Sequence, residues 1–316
     1  MNELSLLDPF QFFTIPLGEW VENGLQYLVS NYRDFFRSIR WPIDQVLTTI
    51  DEGLNAVPPL IAVLLASLFS WQIGGRNLGV FTFVCLSLLG FIGVWGESMT
   101  TLSLVLTAVF FCLVIGIPLG IISARNDRLE MLIRPMLDAM QTLPAFVYLV
   151  PVVMLFGIGD VPGVMVTIVF ALPPLVRLTN LGIRQVPADK IEACRAFGCT
   201  PRQMLFKVQL PIAMPTIMAG LNQTLMLSLS MVVIASMISV EGLGQMVLRG
   251  IGRLDMGLAT VGGMGLVLLA VFLDRITQSL GSKNYHLDSS NWYETGPIGC
   301  VYSLFRLVSP KKTASR

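Results

Sequence analysis

NLGIRQVPADKIEACRAFGCTPRQMLFKVQLP, from Asn180 to Pro211, is a polar stretch set between two apolar runs. Its punctuation predicts two helices around a turn. Pro187 suits a first helical turn, and the run to Phe197 is helix-forming. Gly198 follows where a helix end favours a residue free to take positive φ. Thr200 is then an N-cap with Pro201 in the first position, and Gln203 completes a Thr-x-x-Gln capping box. Pro211 is expected to close the second helix before the next apolar run. Helix, glycine turn, helix is a rigid projection that can transmit force. A hairpin that merely joins two spans has the same punctuation.

The flanking sequence says what the projection stands on. Of 316 residues, 54% are hydrophobic and 13% charged, whereas a soluble domain carries about a quarter charged. The apolar residues come in long blocks, and a bilayer core about 30 Å thick takes roughly 20 per helix. We read seven spans, at 57–72, 77–95, 99–124, 140–159, 162–180, 213–240 and 257–275. Trp71 and Trp95 sit at span ends, as interfacial aromatics do. Prolines such as Pro118, Pro144, Pro173 and Pro215 fall inside the spans, where neighbours must satisfy the freed backbone groups. Residues 1–56 are an amphipathic tail. Ile43, Val46, Leu47, Ile50 and Leu54 recur at helical spacing there, and Trp20, Val21, Leu25 and Leu28 repeat the pattern. Helices of this kind lie on a membrane surface or pack on a bundle. The predicted organisation is the tail 1–56, a transmembrane domain 57–275 carrying the loop 181–212, and a second tail, 276–316. No basic stretch followed by an apolar core opens the chain, so no cleavable signal peptide is expected.

Net charge is +1, so the total points to no nucleic acid. Its distribution is more telling. With seven spans, one side of the membrane carries 16 of the 21 Lys and Arg, including Arg76, Arg125, Arg184 and Lys207. The other carries Arg33, Arg37, Arg40, Arg249 and Arg253. The basic side is cytoplasmic by the positive-inside rule, which puts the N-terminus outside and the C-terminus inside. His286 is the one histidine and lies in the polar tail, so a histidine metal site is not expected. Of the five cysteines, Cys85 and Cys112 lie in apolar blocks. Cys194 and Cys199 are five apart, on different faces of a helix, and no disulfide or zinc pattern appears. There is no Gly-Lys dipeptide, hence no P-loop, and no HExxH or GxSxG motif.

The loop also carries a pattern. Glu192-Ala193-Cys194, then Gly198, then Val208-Gln209-Leu210-Pro211 resembles the EAA loop of binding-protein-dependent ABC importer permeases. Cys194 stands for the second alanine and Val208 for isoleucine; the spacing is the family's. LDAMQTLPAFVYLVPVVMLFGIGDVPG (Leu137–Gly163), the long run Met218–Gly263 and WYETGPIG (Trp292–Gly299) resemble the permeases of glycine betaine/proline betaine importers in particular. The resemblance implies an all-α, polytopic type I ABC importer transmembrane domain in the bacterial inner membrane. It implies a homodimer with a second copy of this permease, two copies of a ProV-like ATPase on the loops, and a ProX-like periplasmic substrate-binding protein. This chain would bind no cofactor and catalyse no reaction; ATP and Mg belong to the partner ATPase. Glu192, Ala193, Cys194, Gly198, Val208, Leu210 and Pro211 are the coupling candidates.

Candidate pathway residues are Asn222, Gln223 and Ser228, because polar groups in a span usually face the bundle interior or a cavity; interhelical hydrogen bonding accounts for these three equally well. Tyr148 is a further candidate as an aromatic that could meet a quaternary ammonium, although an aromatic in a span is more often packing. Glu241, Gly242 and Gly244 are candidates for an outer gate, or a solvated loop. The competing class is an ion-gradient-driven transporter of a small zwitterionic solute, which needs an ionisable residue at mid-membrane. The acids cluster instead at span ends and loops.

Overall fold

A backbone in lipid must satisfy its own polar groups, which leaves an apolar chain little choice but helix. The computed structural model describes residues 16–283, and all regular structure among them is helical. Two amphipathic helices come first among the described residues, α1 (Leu17–Asn31) and α2 (Arg33–Ala56). Then come α3 (Pro59–Gly74), α4 (Arg76–Ile92), α5 (Trp95–Arg125), α6 (Asp127–Thr142) and α7 (Leu149–Phe156). The chain continues through α8 (Asp160–Arg184), α9 (Ala188–Ala196), α10 (Pro201–Met204), α11 (Leu210–Ala235), α12 (Leu243–Arg253) and α13 (Met256–Lys283).

The centre is α8, packed against α5 on one side and α11 on the other. Small residues let these backbones approach. A Cβ on Gly120 would lie 2.5 Å from the Thr179 side chain, and one on Gly182 would lie 3.0 Å from Thr216. Around these contacts Cys112, Leu175, Val176, Ala213 and Ile217 form a buried cluster. At the other end of α8, Val161 and Val164 meet Leu104 and Ala108, and α2 closes the cluster with Ile43 and Leu47. The expected amphipathic face of α2 is thus a packing face. By contrast α1 leaves Trp20 and Val21 exposed. The α3–α4 hairpin turns at Gly75, φ +83°, and packs on α13 through Leu86, Leu89, Leu269 and Phe272.

The span pattern differs from the seven-span reading. Four helices are long and apolar enough to cross a membrane: Trp95–Arg125, Asp160–Arg184, Pro201–Ile238 and Met256–Gly281. Two more candidates are bent pairs, Arg33–Ala56 with Pro59–Gly74 at 105°, and Asp127–Thr142 with Ala145–Phe156 at 104°. Arg76–Ile92 is apolar but shorter. The expected fourth span, 140–159, is therefore no straight helix. Both bends fall at the residue before a proline, Val57 and Leu143, each extended at ψ 125° and 136°. The ring of the following proline disfavours helical geometry there. Boundaries also move: α5 starts at Trp95, ahead of the expected 99, and α8 runs to Arg184 and α13 to Lys283, past the expected ends at 180 and 275. An amphipathic helix, α12, lies between the sixth and seventh expected spans and includes the gate candidate Gly244. His286, Trp292–Gly299 and Cys300 lie outside the described residues.

Candidate functional site

The loop is built by local chemistry. At the end of α9, Gly198 N–H donates to Arg195 O at 2.9 Å and Cys199 N–H to Cys194 O at 3.1 Å. These two bonds are a Schellman motif, which needs a residue at positive φ after the helix. Gly198 supplies it at +73°, with open space where a Cβ would sit. The capping box forms as read: Thr200 N–H donates to Gln203 Oε1 at 2.8 Å, and Gln203 N–H to Thr200 Oγ1 at 3.3 Å. Glu192, Ala193 and Gly198 are exposed and Cys194 is buried. Phe197 is 88% exposed at the tip, a residue that the motif spacing passes over. Its signal was a large apolar side chain in an otherwise polar turn.

Pro211 does not end the second helix. The chain runs from α10 through a π-helical turn, Leu205–Gln209, straight into α11. A proline inside an α-helix lacks an N–H and clashes with the carbonyl four residues back. The wider π turn immediately before Pro211 accommodates both defects. Pro201–Ile238 is consequently one continuous helical rod. Leu205 is buried, Val208 and Leu210 are half-buried, and Pro211 is exposed. Arg125 Nη2 donates to Pro201 O at 3.1 Å, tying the loop to the end of α5. Beneath it Arg184 pairs with Asp127 at 2.6 Å and Glu130 at 2.8 Å, and Arg177 with Asp138 at 2.5 Å. These pairs hold α6 on α8. Sequence spacing could not have joined residues so far apart in the chain.

Along α11 the expected polar residues take three different positions. Asn222 Nδ2 donates to Asp274 Oδ1 at 2.9 Å and Asn222 Oδ1 accepts from Thr277 Oγ1 at 2.8 Å, so its amide is engaged with α13. Gln278 completes the group by donating to both Asp274 oxygens. Ser228 is fully buried and donates to Thr224 O of its own helix. Gln223 is exposed on a stripe with Met226 and Ser230. Tyr148 braces the 104° bend, its hydroxyl donating to Ala139 O at 3.0 Å.

Glu241, Gly242 and Gly244 make a packed corner between α11 and α12. Gly242 has φ +106°, and a Cβ there would lie 2.5 Å from Thr101 Oγ1. Thr101 Oγ1 in turn accepts from Leu243 N–H at 2.9 Å. A Cβ on Gly244 would lie 2.7 Å from Val232 O. Glu241 itself is exposed, while its N–H donates to Asp160 Oδ1 at 3.0 Å. Thr101 and Asp160 are partners that the sequence reading did not single out.

Residues 116–283 match the family "Binding-protein-dependent transport system inner membrane component". The chain is 60% identical over 301 residues to the glycine betaine/proline betaine transport system permease protein ProW of Escherichia coli (strain K12), covering 95% of this chain and 85% of that one. It is 42% identical over 269 residues to the glycine betaine transport system permease protein OpuAB of Bacillus subtilis (strain 168), covering 85% and 95%. Among solved structures it is similar to a chain of the MetNI methionine ABC transporter in an inward-facing conformation. There the TM-score is 0.51 and the identity 26%, over 61% of this chain and 96% of that one.

Proposed function

Because the chain belongs to the binding-protein-dependent transport system inner membrane component family, we propose that it is the permease subunit of an ATP-driven importer of glycine betaine, proline betaine and related osmoprotectants. It is a multi-pass inner-membrane transport protein with an ABC importer permease fold. Two copies form the pathway, each loop seats one of two ATPase subunits, and a periplasmic binding protein delivers the solute. ATP and Mg are bound by the ATPase. The N-terminus is outside and the C-terminus inside. The observation that carries the substrate class is the 60% identity with a betaine permease along 95% of the chain.

The geometry supports a lever. Glu192, Ala193 and Phe197 present the docking surface. Movement of that surface passes through Gly198 and the capping box into the rod Pro201–Ile238 without crossing a flexible joint. The rod carries Gln223 and Ser230 on an uncovered stripe. A polar side chain facing lipid is costly, so that stripe faces the water-filled path between the two copies. The corner at Gly242 anchors the other end of the rod and forms the outer closure.

The test is uptake of radiolabelled glycine betaine at high osmolarity by cells in which this permease, its ATPase and its binding protein are the sole betaine route. Uptake is expected only with a hydrolysis-competent ATPase. Uptake that survives loss of the ATPase and collapses with the proton gradient would establish an ion-driven transporter instead.

A further inference from the structure

Two thiols meet at the turn of the coupling loop. In sequence Cys194 and Cys199 look unrelated, five residues apart on a presumed helix. The Schellman motif changes that. It brings its third-from-last helical residue beside the third residue past the helix end, a contact frequently filled by two apolar side chains. Here those positions are Cys194 and Cys199, joined by a backbone hydrogen bond of 3.1 Å. That backbone bond sets the two cysteines next to each other across the turn. Cys194 is buried and Cys199 half-exposed, and both are free thiols.

We propose that Cys194 and Cys199 are a reversible dithiol–disulfide site whose oxidation stops transport; the second half of the statement rests on the coupling role proposed above. The oxidant is a low-molecular-weight disulfide such as oxidised glutathione. The half-exposed Cys199 thiolate attacks one sulfur of that disulfide, forming a mixed disulfide and releasing one thiol. Cys194 then loses its proton to water and its sulfur attacks the Cys199 sulfur, expelling the second thiol. Two protein thiols and one small disulfide become one protein disulfide and two small thiols, and two electrons pass to the oxidant. The neighbouring Cys199 side chain, helped by burial, holds the Cys194 thiol above the ordinary cysteine pKa. Cys199 is the more accessible of the two and meets the oxidant first, which leaves the buried Cys194 as the resolving partner. Disulfides in a reducing compartment are typically transient and redox-sensing. A bond across this turn replaces a contact with a covalent link, and so moves Glu192, Ala193 and Phe197 relative to the rod they drive.

Trypsin offers a direct readout, since Arg195 lies between the two cysteines. Membrane vesicles holding the permease with its ATPase and binding protein are treated with oxidised glutathione, digested without reduction and analysed by mass spectrometry. The expected product is peptide 191–195 disulfide-linked to peptide 196–202, lighter than the sum of the two by two hydrogens. ATP-driven uptake should fall as this species accumulates and return with dithiothreitol. Cys199→Ser should abolish the linked species and make uptake resistant to the oxidant. Separate glutathione adducts with no linked peptide would overturn the site. A quantitative yield of linked peptide with undiminished uptake would overturn its role in transport. Vesicles that show no uptake before oxidation count against the importer reading, while the peptide measurement still decides the site.

Discussion

Gly198 shows what one residue contributes here. Its φ of +73° is available to glycine at little cost, and a side chain there would meet no neighbour within 4 Å. Strain is therefore the whole effect of substitution, with no clash added. Gly198→Val should cost about 1–3 kcal/mol at the turn, which the helix can avoid by unwinding its last residues. We expect normal membrane insertion, with loss of betaine uptake and of ATPase co-purification at matched protein levels; Gly198→Ala should be milder. Full uptake by the valine variant with the ATPase still bound would mean that the turn does not position Glu192 and Ala193. The neighbouring thiols give a second test. Removing the partner in Cys199→Ala should lower the Cys194 pKa toward its ordinary value. The pH midpoint of Cys194 alkylation should shift down, because more thiolate is present at any given pH. An unchanged midpoint would show that the thiol contact does not hold Cys194 protonated.

At the scale of elements, legibility followed the range of the chemistry. The glycine turn, the capping box and the amphipathic face of α2 depend on residues a few positions apart, and all were readable. The bends at Val57 and Leu143 were equally local, but apolar sequence runs on across Pro144 and hid the second of them. The π turn escaped because it is a response to Pro211 inside a continuing helix, and proline was read as a stop. Thr101 with Leu243, and Asn222 with Asp274, are separated by 142 and 52 residues, so only packing could join them. The α11–α13 group gives a prediction of its own. Interhelical hydrogen bonds in membranes average about 0.6 kcal/mol and reach about 1.7. Asn222→Ala removes two of them and takes one donor from Asp274. A lower melting temperature of the detergent-solubilised protein is expected, with Asp274→Asn closer to wild type because its remaining oxygen still accepts. An unshifted melting point in Asn222→Ala would show that α13 is held by apolar packing alone.

The whole molecule has two unlike ends, and they differ in charge. One end gathers the coupling loop, the end of α5 through Arg125, the Arg184 pairs and the α3–α4 turn. The C-terminal part of α13 belongs there too, since a Cβ on Gly74 would lie 2.4 Å from Ser279 and one on Gly281 would lie 3.2 Å from Met218. The opposite end holds the Gly242 corner, Asp160 and Arg40, which donates to Phe156 O at 3.0 Å. Of the 16 basic residues assigned to the loop side, Arg306, Lys311, Lys312 and Arg316 lie beyond residue 283. The remainder still outnumber the five on the other side. In the proposed orientation that asymmetry keeps the loop end on the cytoplasmic side, by the positive-inside rule. A bent pair that crosses leaves the argument unchanged, whereas one that re-enters by the same face would alter it. We therefore expect an enzyme reporter fused after Ser282 to be active only as a cytoplasmic reporter, and one inserted at Ser30 only as a periplasmic one. Both sites reporting the same side would require an even number of crossings. One of the short or bent segments, α3, α4 or the α6–α7 pair, would then enter and leave by the same face.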